Sequence, residues 1–311
     1  MRVFGPGLLA ILVLALVWRA PLPAAGMQAA SYRGPLIDTH LHLEAESGVD
    51  IDTVIGLYDA VGVRGGWAMG VPWPRATDAW ERYPTRIVPF LAEGYTATLH
   101  PDATYRNPAG LEELLAGGYV RGLGEVILRR SAFRLAGGYS APATHVPADH
   151  PALLTAYAIA GRYGAPVVVH QEAAYADELE RAVQAAPGTV FVWAHAGHGP
   201  AAVVRRLLAR NPNLYADLSA RTPWLGPGTV LMPPGGSLQA DWAALLHEYP
   251  DRFLIGLDLF APFHFRLAYV RDTVEYYRAL LGRLDPAVAE QIAYRNAERL
   301  APFVEPAAPW P

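Results

Sequence analysis

The chain has 311 residues, with 29 acidic side chains, 25 basic ones and no cysteine, enough for one large domain or two modest ones. Disulfide frameworks, thiolate metal sites and cysteine nucleophiles are thereby excluded. All 25 basic residues are arginine, and the absence of lysine removes Schiff-base, P-loop and carboxylated-lysine chemistry too. A 52% hydrophobic, 17% charged composition suits a globular protein with a large core, and 29 glycines with 28 prolines imply many ordered turns.

Met1-Arg2 precedes an uncharged apolar run from Leu8 to Trp18, then Arg19, a proline-containing stretch and Ala24-Ala25-Gly26, a small-x-small cleavage pattern. The expectation is a signal peptide over 1–26, cut after Gly26, and a periplasmic or secreted mature chain over 27–311. The competing reading is a membrane anchor, but the run covers only about 16 Å as a helix against roughly 30 Å of hydrocarbon. Without cysteine there is no lipobox, so no stable membrane anchor is expected after cleavage. Removing Arg2 and Arg19 leaves 23 basic residues against 29 acidic, formally −6. That balance argues against a nucleic-acid partner and leaves a small-molecule substrate as the expected one.

From residue 35 onward, β-branched or apolar runs alternate with helical patterns, and no linker or composition shift marks a second domain. Eight strands are predicted: Leu36–Leu43, Trp67–Val71, Arg86–Leu91, Val120–Ile127, Pro166–Gln171, Val190–Ala196, Asn213–Ser219 and Phe253–Leu259. Helices are predicted over Ile51–Val61, Thr77–Arg82, Asn107–Leu115, Pro151–Tyr163, Asp177–Ala186, Ala201–Ala209 and Leu238–Tyr249. Asn107 ahead of Pro108 and Asp149 ahead of Pro151 supply start signals. An eighth helix over Phe265–Leu284 and a C-terminal one over Pro286–Leu300 complete the pattern. Eight strand-then-helix units match a single (β/α)8 TIM-type barrel, whereas a doubly wound sheet usually has fewer strands and a glycine-rich first turn.

In such barrels chemistry gathers at the C-terminal ends of the strands. His40 and His42 are two apart, so on a strand both face the barrel mouth, with Asp38 one step deeper on the same face. HxH alone is weak, since two histidines can simply be hydrogen-bonded there, and Asp38 could accept from an imidazole or merely begin the strand. Glu125, in GLGEVIL, needs a cation, which could be Arg129, Arg130 or a metal. His170 ends PVVVH, His195 ends FVWAH and Asp258 follows FLIGL; each alone has an ordinary structural reading. Together, four histidines and two carboxylates in barrel order at strand ends one, four, five, six and eight predict a metal site. This nitrogen-and-oxygen set suits hard or borderline divalent ions, with Zn²⁺ the leading candidate.

DTHLH at 38–42, GLGEV at 122–126, the strand-ending His170 and His195, RFLIGLDLF around Asp258 and YRNAERL at 294–300 resemble the amidohydrolase superfamily, in its amidohydrolase-related (amidohydrolase 2) branch. The resemblance implies a distorted barrel holding one or two divalent metals, two being favoured. It implies that His40, His42 and Asp258 hold the more buried ion, His170 and His195 the more exposed one, and that Glu125 bridges them. Many binuclear members bridge with a carboxylated lysine; the glutamate version is similar to the TatD-type arrangement.

A metal pair polarises a carbonyl or phosphoryl oxygen and acidifies a bound water, which predicts a hydrolase acting on an ester, lactone, amide or phosphoester. The resemblance implies that Asp258 takes the water's proton. Arg129 and Arg130 could clamp a substrate anion or be an exposed pair, and His198 could touch substrate or order its loop. Trp73, Tyr139, Tyr175, Trp224, Phe260, Phe263 and Phe265, with His264 among them, suggest a pocket for a partly apolar substrate or simple loop packing. The long stretch Arg221–Gly236 reads as a lid. The rivals are a metal-dependent non-oxidative decarboxylase of an aromatic acid and a non-catalytic barrel binding protein. A nuclease is disfavoured by the acidic, lysine-free chain.

Overall fold

A computed structural model describes residues 31–93, 100, 103–135, 138–225 and 229–306; the expected leader at 1–26 lies outside them. Eight parallel strands run in sequence order around one sheet: β1 (Ile37–Glu44), β2 (Gly65–Val71), β3 (Ile87–Leu91), β4 (Gly122–Ile127), β5 (Val167–His170), β6 (Phe191–Trp193), β7 (Leu214–Asp217) and β8 (Phe253–Leu254). The sheet closes where the continuation of β8 runs along β1. Thr39 N donates to Ile255 O at 2.9 Å, Asp258 N to His40 O at 2.9 Å and His42 N to Leu259 O at 3.1 Å. The predicted (β/α)8 barrel is therefore present.

Helices α1 (Ile51–Val61), α2 (Pro74–Arg82), α3 (Pro108–Ala116), α4 (Pro151–Arg162), α5 (Ala176–Ala185), α6 (Ala201–Arg210), α7 (Ala240–Glu248) and α8 (Leu267–Leu281) surround it. The C-terminal segment forms α9 (Pro286–Glu290) and α10 (Asn296–Leu300), joined by a π turn over Gln291–Arg295. Asn107 caps α3 through Gly110 N, as its position ahead of proline predicts. Asp149 does not cap α4. His150 accepts from Ala152 N instead, and Asp149 turns outward to Arg181 at 2.6 Å. No helix among the described residues is long and apolar enough to cross a membrane.

The strands are buried on both faces, as covered parallel sheets require. One apolar set, including Leu41, Leu43, Leu123, Val126, Val167 and Val169, packs outward against the helices. A second set, including Ile37, Trp67, Met69, Val88, Phe90, Val168, Val192 and Leu254, fills the barrel interior, with Trp67 stacked on Phe90 at 4.9 Å. This plug closes the lower barrel and leaves the C-terminal end as the place for polar side chains.

Two register shifts decide which residues reach that end. On β1 the pairing with β2 slips by one residue between Asp38 and Leu41. Ile37 therefore points inward and Asp38 outward, and beyond the bulge His40 and His42 point inward. Asp38 is thus not on the histidines' face, contrary to expectation. Its Oδ2 accepts from Tyr58 of α1 at 2.6 Å, and its Oδ1 accepts from His40 N at 2.9 Å and Leu257 N at 2.8 Å, tying β1 to the closing segment. On β4 the register with β5 slips between Leu123 and Val126, which turns Glu125 inward. Gly124 sits in that bulge at φ 131°, across a cis peptide from Glu125, and a Cβ there would meet Val168 O at 2.6 Å. Only glycine fits.

Candidate metal centre

His170 reaches the mouth by simple alternation, since it shares the face of Val168. Alternation would send His195 outward, because Trp193 packs against the helices. Instead β6 ends at Trp193 and residues 195–198 make a left-handed turn, with φ of 57°, 46°, 61° and 53°. The turn swings His195 into the barrel. Gly197 is required in it, because a Cβ would lie 2.1 Å from the Trp193 ring. The other three residues carry a left-handed cost of about 1–2 kcal/mol each. Asp258 follows β8 at φ 56° on the inward face shared with Leu254. Strands six and eight are thus shorter than predicted: His195 sits on the turn that ends β6, and Asp258 in the continuation of β8 that runs along β1.

All six predicted ligands meet. Glu125 Oε1 lies 2.9 Å from His170 Nδ1, 3.2 Å from His195 Nε2 and 3.5 Å from His40 Nε2, while its Oε2 is 3.8 Å from His42 Nε2. Asp258 Oδ1 lies 3.5 Å from His42 Nε2 and 3.7 Å from His40 Nε2. Three compact groups emerge among the described residues: His40 with His42 and Asp258, Glu125 with His170 and His195, and His40 with His195 and Asp217.

Asp217, at the end of β7, is a residue the sequence analysis missed. It is fully buried; Oδ2 lies 2.9 Å from His40 Nδ1, and Oδ1 accepts from the amides of His195 and Ser219, each at 2.9 Å. Ser219 Oγ also donates to Asp217 and lies 2.7 Å from His195 Nδ1. An ionised carboxylate only accepts, so His40 carries its proton on Nδ1; Ser219 spends its proton on Asp217, so His195 does the same. In the neutral rings, the form that binds a metal, both Nε2 lone pairs then face the centre. The signal was available, because Leu214, Ala216 and Leu218 face outward and alternation turns Asp217 in with Tyr215.

The donor set fits a cation. His40 Nε2 is buried and makes no hydrogen bond among the described residues, an arrangement that wastes a polar atom unless it has an electrophile to meet. Burial opposes ionisation of Glu125, yet the adjoining His170 and His40 hold its carboxyl well below the usual range. Burial likewise opposes ionisation of Asp258, and its contacts with His42, His195 and His40 overcome it. A divalent ion would supply the same stabilisation of both carboxylates.

A cavity of about 240 Å³ opens on the centre, lined by Glu125, His170, His195 and Asp258 and walled by Phe133, Phe260, Arg130 and His198. Much of this wall comes from a hairpin excursion between β4 and α4, absent from the eight-unit expectation, in which 129–130 pairs with 144–145 and 133–134 with 140–141. Phe133, Tyr139 and Phe260 pack together there at 5.3–6.3 Å. The two predicted arginines part ways. Arg129 is held by Glu178 through two 3.0 Å bonds, outside the cavity lining, whereas Arg130 is buried, lies over Phe133 at 4.8 Å and lines the cavity.

His198 lines the cavity and stacks on His195 at 4.8 Å and 7°; burial, reinforced by the neighbouring His195 and His170, keeps it neutral. Of the predicted aromatics, Phe260 lines the cavity, with Tyr139 behind it. Tyr175 and Trp224 are exposed, and Phe263 packs on His264. The predicted lid is in part core, since Arg221, Leu231 and Met232 are buried while Thr229 reaches the cavity.

A barrel with this mouth defines a class of enzyme-like scaffolds, and the sequence places the chain within it. Residues 37–303 match the family model described as amidohydrolase, and the chain belongs to that family. No curated protein matches it. Solved structures share the fold. A protein described as a 2-pyrone-4,6-dicarboxylic acid hydrolase from Pseudomonas putida is 18% identical, with TM-score 0.57, covering 85% of this chain and 96% of its own. The 2,6-dihydroxybenzoate decarboxylase from Rhizobium is 16% identical, with TM-score 0.52, covering 86% and 98%. An amidohydrolase from Burkholderia multivorans with bound zinc is 16% identical, with TM-score 0.53, covering 86% and 99%.

Proposed function

We propose that the chain is a metal-dependent hydrolase acting on a small ester, lactone, amide or phosphoester. The observation that carries this reading is the Glu125 carboxylate, which lies between the two histidine groups: Oε1 is 2.9 Å from His170, 3.2 Å from His195 and 3.5 Å from His40, and Oε2 is 3.8 Å from His42. His40, His42 and Asp258 would hold one divalent ion, His170 and His195 a second, with Glu125 shared between them; zinc is the favoured metal. Such ions polarise the scissile group and acidify a water. Asp258 would take a proton from the attacking water on its carboxylate and pass it to the leaving group. Arg130 receives an anionic substituent of the substrate, Phe133 and Phe260 seat its apolar part, and neutral His198 lines the approach. We place the mature protein in the periplasm or outside the cell, from the leader pattern at 1–26.

A second reading, favoured by the likeness to the dihydroxybenzoate decarboxylase, is decarboxylation of an aromatic acid at a single ion. Metal content per chain, measured on protein purified without chelator or His tag, separates the two. About two ions, with turnover in a screen of esters, lactones, amides and phosphoesters, supports the hydrolase. One ion, with CO2 released from aromatic carboxylic acids, overturns it in favour of the decarboxylase. No ion after metal resupply leaves a binding protein.

A further inference from the structure

Arg221 is a guanidinium buried to 2% exposure beside the centre, and the chemistry proposed above gives it no part. Its Nη1 donates to His195 O and its Nη2 to Gly199 O, both at 3.0 Å. The face of the guanidinium lies over Trp242 of α7 at 4.3 Å. Its own carbonyl accepts from Tyr276 of α8 at 3.0 Å. Burial depresses its pKa to about 10, so it stays charged at neutral pH. A buried charge spent on two carbonyls is an expensive way to make a turn.

The two carbonyls bracket the left-handed segment 195–198, which relaxes toward ordinary backbone unless something holds both ends. Relaxation would return His195 to the outward direction that strand alternation gives it. We infer that Arg221 is a positioning residue: a planar fork, anchored on Trp242 and α8, that clamps the His195–His198 turn and so sets the ion-binding group formed by His195, His170 and Glu125, but not the one formed by His40, His42 and Asp258. A guanidinium suits this because its two Nη groups diverge at a fixed spacing, which an ammonium cannot reproduce. The selective effect on metal rests on the metal-centre reading; the effect on His195 itself does not.

The test uses Arg221→Ala, Arg221→Lys and the unaltered protein. In each, affinities for the first and second Zn²⁺ are measured by chelator competition. In metal-free protein, the His195 ring signals are followed by NMR with ¹⁵N-histidine labelling and assigned by their absence in His195→Asn. We expect the second ion to bind 10- to 100-fold more weakly in both variants, with the first changed less than about 3-fold. The His195 ring signals should shift away from their hydrogen-bonded position. Guanidinium chloride at tens of millimolar should restore Arg221→Ala but not Arg221→Lys. Equal weakening of both ions without guanidinium rescue, or unmoved His195 signals, overturns the inference. If Arg221→Ala does not fold, Arg221→Lys decides it by the same two measurements. If the unaltered protein binds no metal, the metal-centre reading fails, and the His195 signals alone judge the clamp.

Discussion

Replacing Asp217 by Asn changes one buried charge and almost no volume. The remaining side-chain oxygen keeps the amides of His195 and Ser219, each at 2.9 Å, so the chain trace of the site should survive. What changes is the partner of His40 Nδ1, at 2.9 Å from Oδ2, which becomes an NH2 group. Two donors then face each other unless His40 moves its proton to Nε2, the atom aimed at the centre. A charge-assisted bond of this kind contributes about 1.5–3 kcal/mol. A carboxylate behind a ligand histidine typically sets 10- to 100-fold of metal affinity, or about 1.4–2.7 kcal/mol. The first Zn²⁺ should therefore bind Asp217→Asn 10- to 100-fold more weakly in chelator competition, with circular dichroism unchanged. Unaltered affinity in a folded variant would refute the account of how His40 is oriented.

Glu125→Gln keeps the volume but loses the shared charge. The ion held with His170 and His195 should be lost while the fold persists, and metal analysis still finding two ions would remove the bridge. Gly124→Ala places a Cβ 2.6 Å from Val168 O at a φ of 131°, so it should destabilise the barrel by about 1–3 kcal/mol from backbone strain alone. A chemical-denaturation midpoint equal to that of the unaltered protein would show that the bulge is not required. Burial among rings holds His264 down at about 4, below the unfolded value near 6.5, so the unfolded chain binds more protons between those pH values. Stability of the metal-free protein should therefore be full above about pH 6.5 and fall toward pH 4, by about 3 kcal/mol from this residue. His264→Gln should remove that part of the slope in urea titrations, and an identical slope would discount the residue.

Much of the barrel was legible because each strand is a short apolar run followed by a helical pattern, and caps such as Asn107 mark the starts. His170 and Asp258 could be placed on the inner face by counting in twos from Val168 and Leu254. Asp217 obeys the same count, sharing the inward face of Tyr215. Counting in twos fails at β1 and β4, where one extra residue reverses the faces and sends Asp38 out while turning Glu125 in. It fails again after Trp193, where a left-handed turn reverses His195.

The sequence by itself determined the eight-unit barrel and the exclusion of cysteine and lysine chemistry, because these follow from local periodicity and composition, and it marked six metal-ligand residue types in barrel order near the strand ends. Only the tertiary structure decided that Arg129 pairs with Glu178 while Arg130 lines the cavity, that Asp217 and Ser219 orient the two histidines, and that Arg221 grips the turn. Those outcomes depend on bulges and on contacts between residues 22 to 177 positions apart. Local periodicity carries no record of either.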